Sequence, residues 1–163
     1  MTGRSVRFRL AVIEGVHLRG LVEEFEDLVG GSRDAADPAI VRLTPTPYPE
    51  DAEASAAFAE STRGDLLDRR SADATAVRSA LAVFDADVEA LTEAEALRSA
   101  EIVIAADDID SWLRTLTALR LVLASRLGIA EEDRHDTKDP RFALYDWLGY
   151  RLEVLIQAAD EQD

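Results

Sequence analysis

Ile109, Trp112, Leu113, Leu116, Leu119, Leu123 and Leu127 recur at steps of three and four residues, the period of one face of an α-helix. Ala118, Leu121, Val122 and Ala124 spread apolar surface around most of the second half. A helix over residues 109–127 that is apolar on nearly every side is buried rather than laid on a surface. Asp108 or Asp110 stands where it can cap the first free N–H groups, and Gly128 stands where a left-handed C-terminal cap belongs. The remaining elements must pack around this helix.

Residues 6–13 alternate Val6, Phe8, Leu10 and Val12 against Arg7, Arg9 and Ala11, a period of two that predicts a half-buried strand with both arginines on its solvent face. Leu18, Leu21, Val22, Phe25, Leu28 and Val29 then mark a helical face, with carboxylates opposite and Gly30 and Gly31 at its end. Residues 32–51 read as the main irregular segment. Pro45, Pro47 and Pro49 exclude helix from 44 to 49, and the segment carries Arg42 and Tyr48 as candidate contacts. A short Ala-rich helix is expected over 51–61. A second, long helix is expected from the Thr62–Asp65 capping pattern through Leu66, Arg70, Ala74, Val77, Leu81, Phe84, Val88 and Leu91. Residues 101–106, EIVIAA, form a short β-branched run whose natural partner is the strand over 6–13. Residues 130–140 read as a charged surface loop. Pro140 opens a last helix with Tyr145, Leu148, Leu152, Leu155 and Ile156 as its stripe, and the tail from 159 reads as frayed.

These elements predict a mainly α-helical, bundle-like single domain over residues 1–163, with a minor two-stranded β element made by 6–13 and 101–106. Homodimer formation through the long helix and the Pro-rich loop stays open.

Charge sharpens this picture. The net charge is -15 at pH 7, and Lys138 is the only lysine. Duplex binding normally needs clustered Lys and Arg to neutralise phosphates, so the average field opposes direct DNA binding and favours a protein partner. Arg7 and Arg9 are one small basic patch. Arg114 and Arg120 are further candidate contacts, Arg120 standing between Arg114 and Arg126: a guanidinium in so apolar a helix either pairs with an internal carboxylate or faces a partner. Arg70, within the apolar stripe of the long helix, is expected to form an internal ion pair. The N-terminal residues carry no secretory pattern, and no apolar run approaches the roughly 18 to 20 residues of a membrane helix. Location in the cytoplasm is expected.

Catalytic constellations do not assemble. No cysteine is present, and the chain carries neither a phosphate-binding loop, nor a dinucleotide fingerprint, nor a paired-His zinc motif. His17 and His135 are the only histidines. His17 reads as an ordinary surface residue, and Asp107, Asp108 and Asp110 read as complements to a helix dipole rather than as cation ligands. The expectation is a non-enzymatic protein without a cofactor or metal.

Three segments carry a resemblance. DPAIVRLTPTPYPED at 37–51, DIDSWLRTLTALRLVLASRLGI at 108–129 and YDWLGYRLEVLI at 145–156 are together similar to the actinobacterial AosR-like oxidative-stress transcriptional regulators, formerly catalogued as a domain of unknown function. The likeness runs over essentially the whole chain. It implies a small helical protein linked to transcription under oxidative stress, with a sigma factor or polymerase component as partner, and it brings no catalytic residues. An adaptor in another pathway, such as proteolysis, is the alternative. Thiol-based redox sensing is not available to a sequence without cysteine.

Overall fold

The computed structural model describes residues 4–44, 51–129 and 135–161. Among them are six α-helices and a two-stranded antiparallel sheet: β1 (Ser5–Ala11), α1 (Val12–Asp27), α2 (Pro38–Leu43), α3 (Ala52–Ala80), α4 (Glu93–Leu97), β2 (Ser99–Ala105), α5 (Ala106–Leu127) and α6 (Ala143–Asp160). The expected β pairing is present, with Phe8 opposite Ile102 and Val6 opposite Ile104. These four side chains are buried. They turn the inner face of the sheet onto α5, where the Phe8 and Trp112 rings meet in a T-shaped contact with centroids 5.6 Å apart.

The first strand stops earlier than its alternation suggests. Ala11 is still extended, but its N–H donates to the Glu14 carboxylate at 2.9 Å, and Val12 and Ile13 open α1. An apolar pair at a strand–helix junction satisfies both periods, so the alternation alone could not mark the boundary. Nor do Gly30 and Gly31 end the first helical run. A π-helical segment, Leu28–Ser32, carries it through both glycines to Arg33, which adopts a left-handed conformation at φ 43°. The Arg33 Nε–H donates to the Val29 carbonyl at 2.6 Å and stabilises that exit.

Residues 32–51 are not irregular throughout. Asp37 accepts from the Ala39 N–H at 2.9 Å and Pro38 supplies the first helical residue, so α2 forms and buries Ile40 and Leu43. The two helices expected over 51–61 and 62–91 are one, α3, followed by 3₁₀ turns at Leu81–Val83 and Val88–Ala90. Thr62–Asp65 therefore lies within α3 rather than at its start. Phe84, Val88 and Leu91 lie beyond its end, although Phe84 is buried.

The central helix begins at Ala106, with Ala105 as an N-cap lacking a side-chain bond. Asp108 and Asp110 thus do not cap it; Asp107 and Asp108 occupy its first turn, where carboxylates complement the dipole. Gly128 provides the left-handed C-cap at φ 74°. Around α5 one buried cluster joins both strands with α1, α2, α3 and α6. The last helix follows a 3₁₀ turn at Pro140–Phe142 and reaches Asp160, so residues 159 and 160 are helical, not frayed. Among the described residues no helix is long and apolar enough to cross a membrane.

Candidate docking grooves

The central helix α5 is apolar on several sides and is not closed over completely: Leu113, Leu121, Val122 and Leu123 stay half-buried. Two grooves of about 340 Å³ each flank it. One involves Leu119, Val122, Leu123 and Arg126; the other involves Leu113, Arg114, Thr117 and Leu121. At about 100° per residue these sets lie on opposite faces of the helix.

The first groove runs between α1 and α5. Phe25 and Leu119 are buried at its floor, while Leu21, Leu28, Val122 and Leu123 are half-buried along it. Glu24 and Asp27 stand exposed at the rim. Arg126 does not offset them freely, since its guanidinium is held in a two-pronged bond to Asp37 at 2.7 and 2.8 Å. That bond, with the Ala39 N–H, keeps the Asp37 carboxyl below the usual carboxylate range. The open side of this groove is apolar and acidic.

The second groove lies between α3 and α5. Asp73 is almost buried and accepts from Arg114 Nε at 2.8 Å, Arg114 Nη2 at 3.1 Å and Ser111 Oγ at 3.0 Å. Burial pushes its pKa up, but the bonds from Arg114 and Ser111, with the charges of Arg114 and Arg70, outweigh it and hold it below the ordinary value.

The arginines expected to meet a partner are mostly engaged within the chain. Arg7 and Arg9 do share the solvent face of β1, yet both reach Glu101, at 3.8 and 3.3 Å. Arg42 donates to the Ile129 carbonyl at 2.9 Å. Arg114 is bound to Asp73, and Arg120 is half-buried between α5 and α6 with its guanidinium carbon 4.1 Å from the Tyr145 ring centroid. Tyr48 lies outside the described residues. The expected ion pair of Arg70 takes a weaker form: it sits near Asp73 and feels its charge, while the Asp73 hydrogen bonds go to Arg114 and Ser111.

Sequence reasoning missed His135. Rather than standing on a charged loop, its side chain is 7% exposed, with Nε2 2.6 Å from Asp146 Oδ1 and the rings of Phe142 and Tyr145 against it. The spacing to Phe142 and Tyr145 was the available signal. Also missed was the Glu14 node on α1, where a single carboxylate accepts from Arg151 at 2.9 Å and from Trp147 Nε1. Burial raises the Glu14 pKa, and these bonds bring it below normal. Among the described residues no group of three or more His, Asp or Glu side chains is placed to hold a metal ion.

Comparison with known families settles relationship rather than activity. Residues 1–159 match the model of a domain of unknown function, DUF2017. The chain belongs to the DUF2017 family. No curated protein and no solved structure matches it. For this DUF2017 protein, function therefore has to be argued from its own surface.

Proposed function

We propose that this DUF2017 protein is a non-enzymatic, protein-binding regulator that acts on the transcription machinery under oxidative stress, through a sigma factor or polymerase component. The observation that carries the protein-binding part is the α1–α5 groove: an apolar channel with Glu24 and Asp27 at its rim, on a chain of net charge -15. Such a groove suits an amphipathic partner helix whose apolar face enters the channel and whose Lys and Arg residues meet the rim. The link to transcription rests on the resemblance to AosR-like regulators.

Direct duplex binding fits poorly with the same surface. Arg114 and Arg126 are each paired with a carboxylate of the chain, and Arg7 and Arg9 share Glu101, so neutralising phosphates there would first break internal pairs.

Affinity capture of the tagged protein from its own cells, with and without peroxide, tests the reading by mass spectrometry. Recovery of a sigma factor or polymerase subunit supports it. Recovery of proteolytic components alone replaces it with the adaptor reading.

A further inference from the structure

The α3–α5 groove, on the opposite face of α5 from the partner groove, has a composition at odds with the rest of the molecule. In a chain of net charge -15, Arg69, Arg70 and Arg114 line it against the one carboxylate of Asp73. Leu66, Leu113 and Leu121 supply an apolar floor and walls.

Asp73 does not use up this positive charge. Both of its oxygens are taken by Arg114 and Ser111, and Asp110 adds a further negative charge near Arg114 only. Arg70 is half-buried, and its Nε–H is out of reach of solvent with no acceptor. Burial also works against the Arg70 charge, with only partial relief from Asp73. Arg69, one residue earlier on α3, is exposed beside it.

We infer that this groove binds a small amphiphilic organic anion. Its anionic group is seated at Arg69 and Arg70, and its apolar body lies on Leu66, Leu113 and Leu121. The volume of about 340 Å³ falls in the range of small-ligand sites. The overall charge decides for a small molecule over an acidic protein segment. A monoanion meets little repulsion from a chain of net charge -15, whereas a polyanionic partner meets repulsion at every approach. The inference is independent of the partner groove and stands or falls without it.

The test is titration of the full chain with sodium octanoate and, separately, with inorganic phosphate. It is followed through the arginine Nε–H and leucine methyl resonances. Octanoate is expected to give saturable shifts at Arg70 Nε and at the methyls of Leu113 and Leu121, with phosphate binding more weakly. Arg69→Ala and Arg70→Ala are each expected to weaken octanoate by about tenfold, the usual scale for a charged hydrogen bond. Arg7→Ala, remote from the groove, is expected to leave it unchanged. Arg69 is exposed, so its variant keeps the fold even if that of Arg70 does not. Shifts that fail to saturate, or affinity unchanged in Arg69→Ala, overturn the site. Phosphate binding as tightly as octanoate overturns the amphiphilic character assigned to the ligand.

Discussion

The guanidinium carbon of Arg120 lies 4.1 Å from the centre of the Tyr145 ring, packed between α5 and α6. A charge in the middle of the central helix is thereby held against the face of an aromatic ring, with the ring quadrupole and the apolar stem both contributing. Arg120→Ala is expected to lower unfolding free energy by about 2 kcal/mol, read by urea denaturation. Tyr145→Leu in that background should then cost less than in the wild type, because the two residues share one interaction.

Gly149 belongs to the same contact. A Cβ placed there would approach Arg120 Nε to 3.0 Å and Nη2 to 3.1 Å. Alanine in place of glycine inside a helix normally stabilises by roughly 0.5–1 kcal/mol. In the wild type, crowding of the stacked guanidinium should cancel that gain. With Arg120→Ala present, Gly149→Ala should restore it, a difference that a double-mutant cycle measures directly.

Gly15 and Phe84 define a tighter approach. A Cβ on Gly15 would fall 2.3 Å from Phe84 Cδ1, because the buried ring lies directly on the α1 backbone. Gly15→Ala must displace this ring from the core. A loss of about 3 kcal/mol is expected by thermal or urea unfolding. By contrast, Gly64→Ala, at an exposed position inside α3 with open space around it, should stabilise the protein by about 0.5–1 kcal/mol.

Acid stability should depend on Asp73. Its pKa in the folded protein lies below the ordinary carboxylate value despite burial. Its contribution is therefore fully present above the unfolded pKa of about 4 and is lost as pH falls through the lower folded value. Asp73→Asn should cost on the order of 2 kcal/mol at pH 7 and flatten the fall in stability on the acid side, as seen in urea titrations between pH 7 and 3.

What the sequence made legible was periodic and buried. The α5 stripe, the Val6–Phe8–Leu10 alternation and its Ile102–Ile104 partner all face the core, so burial wrote the pattern directly. Boundaries were harder to read. Val12 fits both the strand it follows and the helix it opens. Leu81 and Phe84 keep the three-residue step after α3 has ended, with neither glycine nor proline to mark the stop. Thr62, Gly64 and Asp65 resemble a helix start but lie where burial of Leu67, Ala74 and Val77 holds α3 in one piece. Arg114 was singled out, but its partner Asp73 sits 41 residues away, and neither groove flanking α5 could be seen from one segment alone. Arg7 and Arg9 were visible as a patch, yet Glu101, which reaches both, becomes their neighbour only through strand pairing.

The most direct measurement is paired capture of the wild type and a Glu24→Lys/Asp27→Lys variant from peroxide-treated cells. Both positions are exposed, so the variant should keep the wild-type melting temperature within about 2 °C while reversing the charge at the groove rim. The account predicts that a sigma factor or polymerase subunit is recovered with the wild type and reduced at least tenfold, by the usual scale of rim-charge and register effects, with the variant. Equal recovery by both proteins, or recovery of no transcription protein by either, would contradict it.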